Sequence, residues 1–236
     1  MMNKEALEYL VEEIGGPQVV EIGGKPYSDK RLVEIKEPQV GELKVSTLTA
    51  LVEYLLAGPD SLPSKMLVHV QGPTTVSVKS PLFGGFKQRD TFLIAQADLP
   101  RLFLGEALAP EDFQIMLRTA FASAGDRDSL LKLAGNVVDE AAITAVDDGV
   151  SQETTVRSGV ASRAKVKLPN PVTLAPYRAF LEVEQVESPF LFRMHKGPRF
   201  SLHEADGGAW RMEAAYRVKV WLRERLEDAD RYLILG

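Results

Sequence analysis

Cysteine is absent from all 236 residues. Its absence excludes disulfide bridges, iron–sulfur clusters, thiolate zinc sites and thiol catalysis, and it fits a reducing compartment. Long apolar runs are missing as well, since no stretch approaches the roughly 18 apolar residues that span a membrane. The acidic start of the chain lacks the basic region and apolar core of a signal peptide. We therefore expect no membrane partner and a location in the cytoplasm of the cell that makes the protein.

Motifs of the common enzyme classes are missing too. The Gly-Gly pairs form neither a phosphate-binding loop nor a dinucleotide fingerprint, and no serine lies in a nucleophile elbow. The three histidines are scattered along the chain. These absences favour a non-enzymatic protein and indicate no cofactor.

Charge is distributed unevenly along a sequence of ordinary globular composition, with 45% apolar residues and a formal net charge of −5. Residues 1–60 hold 6 basic and 11 acidic side chains, whereas residues 151–203 hold 8 basic and 4 acidic ones. The net charge argues against wholesale coating of nucleic acid or membrane, but the negative protein contains a positive segment.

The spacing of apolar residues predicts both helices and strands. Helical spacing covers residues 46–57, 110–124 and 205–226, and shorter helices are predicted at residues 4–14 and before Gly135. Alternation predicts a hairpin at residues 66–78, a strand at 91–96, an almost wholly β segment at 137–202, and an edge strand or frayed tail at 232–235. The sequence therefore predicts a single α+β domain over residues 1–236, with helices covering mainly antiparallel sheets; residues 1–44 are alternatively a peripheral N-terminal extension. The predicted core includes Leu51, Leu55, Phe113, Leu117, Phe121, Val156, Val166, Trp210 and Trp221.

Several separated motifs carry a family resemblance. They are NPVTLAPYR at residues 170–178, EADGGAWR at 204–211, VSTL at 45–48 and DDGVSQ at 147–152. In these segments the sequence resembles a family of phage and prophage proteins of Gram-positive bacteria and, more distantly, the prophage YfdQ proteins. The resemblance implies a viral or prophage origin and a bacterial host cytoplasm, and it implies no catalytic residues.

A basic strand face is the first candidate binding site. Arg163, Lys165 and Lys167 alternate with apolar residues, so a strand would place three cations on one face. This face could form a groove for an anionic partner, either nucleic acid or a nucleotide. The groove could be completed by Arg157, Arg178, Arg193, Lys196 and Arg199, with Tyr177, Phe190 or Phe192 stacking on bases. The alternative is a solvated edge whose cations prevent sheet-to-sheet association.

A compact anion pocket is the second candidate. In the run from Asp206 to Trp210, the glycine amides before a helix could bind an anion beside the indole, with Arg178 or Arg211 contributing charge. The alternative has Glu204 or Asp206 capping the last helix and Trp210 in the core.

Two further groups of residues carry side chains that can bind metals. The spacing of His195, His203, Glu204 and Asp206 matches no defined metal motif, so no metal site is predicted. Asp29, Glu34 and Lys36 resemble the acidic residues and lysine of some nucleases, but Asp29 and Glu34 are too close for the usual intervening turn.

We therefore expect a phage-encoded, non-enzymatic binding or assembly protein in the host cytoplasm, and a homo-oligomer because long strands leave edges that need partners. Its partner would be nucleic acid, a nucleotide or a host protein. The alternative is a metal-dependent nuclease or a small-nucleotide hydrolase.

Overall fold

A computed structural model of the chain describes residues 4, 15, 19–22, 25–28, 41–60, 62–83, 87–136, 144–147, 151–158, 162–228 and 230–236. The chain divides into two compact units, Met1–Gln39 and Val40–Gly236. The first unit contains an antiparallel pair, β1 (Val19–Ile22) and β2 (Lys25–Ser28). The predicted helix at 4–14 and the triplet of Asp29, Glu34 and Lys36 lie outside the described residues, apart from Lys4.

The described elements of the second unit confirm the α+β class. The described helices are α1 (Leu48–Ala57), α2 (Pro110–Ala120), α3 (Arg127–Asn136) and α4 (Trp210–Arg225). The described strands are β3 (Leu43–Val45), β4 (Met66–Gly72), β5 (Thr75–Lys79), β6 (Thr91–Gln96), β7 (Thr144–Asp147), β8 (Ser151–Ser158), β9 (Ser162–Pro169), β10 (Val172–Leu174), β11 (Ser188–His195), β12 (Arg199–Glu204) and β13 (Tyr232–Leu235). None of these helices is long and apolar enough to cross a membrane.

The largest sheet has five strands in the order β13-β4-β5-β6-β3. Strands β4, β5 and β6 are antiparallel, and the outer strands β13 and β3 run parallel to their neighbours. Alternate residues such as Val68 and Val70 are buried with α1 and α4 in the first core cluster. His69 lies between these two valines in sequence and is half-buried, on the opposite face of β4.

The capping of α1 combines a local and a distant contact. Thr47 Oγ1 accepts the amide of Ala50 at 3.1 Å and so caps the helix. Glu182 Oε1, which is far away in sequence, accepts the amide of Leu48 at 2.7 Å. A carboxylate at this end of the helix also interacts favourably with the helix dipole.

The second sheet, in the order β10-β11-β12, packs against α2 and α3 over a second core cluster. Phenylalanines dominate that cluster: the ring centroid of Phe113 lies 6.0 Å from that of Phe192 and 5.3 Å from that of Phe200. The third sheet, in the order β7-β8-β9, joins this region at the end of β9, where Leu168 is buried in the same cluster.

Some predicted boundaries were wrong for identifiable reasons. Residues 179–186 read as a strand, but they form turns, because the buried side-chain amide of Gln185 bonds to the backbone of Arg178, Ala179, Phe180 and Val183 in place of a neighbouring strand. Helix α2 ends at Ala120 instead of residue 124, because Phe121 turns extended and the next amide bonds to Ala175.

The core predictions are largely confirmed. Leu51, Leu55, Phe113, Leu117 and Phe121 are buried. Two further residues, Trp210 and Trp221, are partly buried against the first cluster. The side chains of Val156 and Val166 lie outside the described part of the chain.

Comparing two glycines isolates the effect of close packing just before α3 on stability. Gly58 and Gly125 both have left-handed backbones, with φ of +58° and +55°, but a Cβ at Gly58 would meet open space while one at Gly125 would overlap the carbonyl oxygen of Thr173. We predict that Gly58→Ala costs about 1–2 kcal/mol from backbone strain. Gly125→Ala should cost about 1–3 kcal/mol more, because β10 must shift. Urea unfolding of the two variants tests this; equal losses would contradict it.

Candidate functional site

Arg178 is a buried cation, with 6% of the residue exposed. Its Nη1 donates to Glu204 Oε1 at 2.6 Å, and its Nη2 donates to the hydroxyl of buried Ser188. Burial lowers the pKa of the guanidinium from its ordinary value, while the carboxylates of Glu204 and Asp206 oppose that shift. The charge is therefore compensated within the fold.

The same guanidinium stacks on aromatic rings. It lies 3.8 Å from the ring centroid of Trp210 and 5.5 Å from that of Phe190. The guanidinium of Arg211 lies 5.0 Å from the same indole centroid. The structure thus brings together Arg178, Trp210 and Arg211, three residues that the sequence marks as ligand-binding candidates.

Asp206, one of the two carboxylates in the capping interpretation of the sequence, binds backbone amides at the start of α4. Its carboxylate accepts the amides of Gly208 and Trp210, each at 3.0 Å. Burial raises the pKa of this carboxyl, but the two amides and the charge of Arg178 outweigh burial and hold the pKa below its usual value. Gly207 and Gly208 form the preceding turn with positive φ, and a Cβ at Gly208 would overlap the guanidinium of Arg211.

This cluster is arranged as a structural contact. The carboxylates of Glu204 and Asp206 compensate the charge of Arg178, and an anion at this guanidinium would have to displace Glu204. Arg178 Nε and Trp210 Nε1 are buried donors without an acceptor in the described part of the chain. The buried arginine therefore fastens α4 to β11 and β12.

A solvent-facing basic surface lies on the β11–β12 hairpin. The register places Leu191, Arg193 and His195 opposite His203, Ser201 and Arg199, on the face away from the phenylalanine cluster. Lys196 follows at the turn. We call the hairpin surface the six residues Arg193, His195, Lys196, Arg199, Ser201 and His203. All of them except Ser201 are exposed, and no carboxylate occupies a position on this face of the two strands.

Ser201 holds the two imidazoles along the hairpin surface. Its hydroxyl lies 2.8 Å from His195 Nε2 and 3.1 Å from His203 Nε2. The serine itself is 1% exposed, so the rings cover it. Sequence reasoning missed this contact because strand alternation pairs residue 201 with 203, whereas the position of His195 depends on the register across the turn.

The outer edge of β12 is covered by the loop before α2. Gly105 donates its amide to Leu202, and Leu108 and Phe200 exchange two backbone hydrogen bonds. In this loop the guanidinium of Arg101 lies 4.6 Å from the ring centroid of half-buried Phe103. Exposed Glu106 is a carboxylate on the same loop.

The predicted basic strand is present in the backbone. Strand β9 pairs with β8 so that Arg163 is opposite Arg157 and Lys165 is opposite Thr155. Lys167 faces Glu153, which places one acidic residue among the basic positions. The side chains of these residues lie outside the described part of the chain. Tyr177 is half-buried and donates its amide to Ala120 at the end of α2, beside Arg178 in sequence.

The candidate metal ligands do not converge. His195 and His203 contact Ser201, Glu204 pairs with Arg178, and Asp206 caps α4. In the described part of the chain, no group of three or more histidine or carboxylate side chains could hold a metal ion.

Comparison with family models, with curated proteins and with solved structures finds no match to this chain.

Removing the buried cation should destabilise the protein. We predict that Arg178→Met lowers the free energy of unfolding by about 3 kcal/mol, because it leaves Glu204 and Ser188 without their partner. Arg217→Met is the control: Arg217 pairs with Glu213 one helical turn away and with Glu184, both in more exposed contacts, and its loss should cost less than about 1 kcal/mol. Urea unfolding compares the two, and similar losses would contradict the structural role of Arg178.

The cap of α4 should make stability depend on pH. Since the folded pKa of Asp206 is depressed, its contribution is complete above the unfolded value of about 3.9 and is lost as pH falls through the folded value. Asp206→Asn should therefore destabilise the protein at pH 7, and the difference from wild type should shrink as pH falls below about 4. Urea unfolding at pH 7, 4, 3 and 2 measures this difference; a constant difference would contradict the assignment.

Proposed function

We propose that this chain is a non-enzymatic protein that binds nucleic acid through the hairpin surface. The observation that supports the proposal is an exposed row of basic and imidazole side chains: Arg193, His195, Arg199 and His203 on a strand face that holds no carboxylate, and Lys196 at the turn. Phosphate contacts by lysine and arginine supply most of the affinity in sequence-independent nucleic-acid binding.

An extended polymer fits this surface better than a compact nucleotide. From residue 199 to residue 203 the strand advances about 13 Å at its usual rise. One strand of a duplex presents a phosphate about every 3.4 Å along its axis, so the row can contact several phosphates. The compact alternative around Arg178 and Arg211 offers a poorer site, since Glu204 and Asp206 already compensate the charge of Arg178.

We also propose that this binding takes place in the cytoplasm of a bacterial host, because the sequence resembles phage and prophage proteins. Among the described strands, β3 and β13 each have one neighbour in the five-stranded sheet, and such outer edges favour a homo-oligomer. A symmetric oligomer would repeat the hairpin surface and strengthen binding to a long polymer.

The salt dependence of binding tests the proposal. We predict that a labelled 20-base-pair duplex binds the wild type with an affinity that falls steeply between 50 and 200 mM KCl, measured by fluorescence anisotropy. The double variant Lys196→Gln/Arg199→Gln should lower the slope of log affinity against log salt by about 1.8, since each phosphate contact contributes about 0.9.

Matched variants locate the contact. The double variant Arg118→Gln/Lys132→Gln removes two exposed cations from α2 and α3 and should leave the slope unchanged. The triple variant Arg163→Gln/Lys165→Gln/Lys167→Gln reports on β9. If only the triple variant lowers the slope, by roughly two to three units, β9 and not the hairpin surface is the binding site. Absence of binding at 50 mM KCl, or cleavage of the duplex that stops with a chelator, would refute the proposal.

A further inference from the structure

A pocket of about 470 Å³ lies on the five-stranded sheet beside its outer strand β13. Its floor is apolar and includes Leu67, Leu82, Leu233 and Leu235. Tyr232 and Ile234, which alternate with the β13 leucines, are buried in the first core cluster. The pocket therefore lies on the face of the sheet opposite α1 and α4.

The leucines of this pocket are unusually open to solvent. Leu82 is 52% exposed, Leu233 is 59% exposed and Leu235 is 45% exposed. Exposed apolar side chains that are scattered singly are common, but a group that lines one concavity is typical of a binding site.

Cations surround this apolar floor. Lys65, Arg89 and Arg231 line the pocket together with one carboxylate, Asp230. None of the four forms an ion pair within the described part of the chain. Arg231 Nε is a buried donor without an acceptor among the described residues, and its guanidinium lies 5.2 Å from the ring centroid of Tyr232. Positive charge and an unused donor thus stand beside a hydrophobic floor.

We propose that this pocket binds an amphiphile that has a single aliphatic chain and an anionic head group. The chain would cover the leucines, and the head group would accept hydrogen bonds from Arg231 and interact with Lys65 and Arg89. A volume of about 470 Å³ falls within the range of about 300–1,000 Å³ for small-molecule sites.

Charge argues against a second copy of the chain as the occupant. A two-fold symmetric contact through this pocket would bring the same cations of both copies together, which is unfavourable. An anionic amphiphile instead neutralises the cations and covers the leucines in one step.

Dodecanoate below its micelle concentration is the probe, and calorimetry is the measurement. We predict that dodecanoate binds with one molecule per chain. Dodecanol, which has the same chain without charge, and butyrate, which has the same head group with a short chain, should each bind at least about tenfold more weakly. Equal binding of dodecanol would refute the role of the cations, and absence of dodecanoate binding would refute the site.

Paired variants locate the binding. Leu233→Gln and Arg231→Gln should each weaken dodecanoate binding about tenfold. The controls Leu181→Gln, at a leucine that is 60% exposed outside the pocket, and Arg118→Gln should leave it unchanged. Because Leu233 is 59% exposed, its variant should fold, and circular dichroism checks this.

Light scattering tests whether a second copy of the chain covers the pocket instead. If the wild type forms a dimer that Leu233→Gln dissociates and no dodecanoate binds, a second copy covers the pocket and the proposal is wrong. The pocket shares no residue with the hairpin surface. Lys196→Gln/Arg199→Gln should therefore leave dodecanoate binding unchanged.

Discussion

The buried charge of Arg178 is the constraint around which the rest of this structure is arranged. A guanidinium removed from water is costly unless it is paired and hydrogen-bonded, and here Glu204, Ser188 and the face of Trp210 supply those contacts. The contact also joins the two cores, since Trp210 packs on the first cluster and Phe190, under the same guanidinium, belongs to the second. Gln185 satisfies the backbone around it, so this region can be buried without a regular strand.

This constraint decides which cations remain for a partner. Arg178 and Arg199 look alike in the sequence, but Arg178 is 6% exposed and paired, whereas Arg199 stands on the open face of a hairpin. A positive segment in the sequence therefore divides into charges that hold the fold together and charges that face solvent. Only the second kind can release counterions from a nucleic acid, which is why the proposed binding surface lies on β11 and β12.

The five-stranded sheet presents a different chemistry on its open face. Leucines and cations meet there in one concavity, whereas the hairpin surface carries cations and imidazoles around a buried serine. An apolar floor favours binding of an aliphatic chain, because apolar area is buried. An extended row of positive charges favours binding of a phosphate polymer. The two surfaces are therefore expected to serve different ligands.

Local patterns in the sequence determined the α+β class, the helices α1, α2 and α3, and the β4–β5 hairpin. They also indicated polar side chains at the starts of α1 and α4, and the structure selected Thr47 and Asp206 among the candidates. Each of these depends on residues within a few positions of one another, where spacing and hydrogen-bonding capacity can be read directly. Only the tertiary structure decided that Glu182 caps α1, that residues 179–186 form turns, that Arg178 is internal and that His195 and His203 share Ser201. These contacts join segments through packing and strand register, and the physical reason they escaped the sequence is that neither property is encoded in the spacing of neighbouring residues.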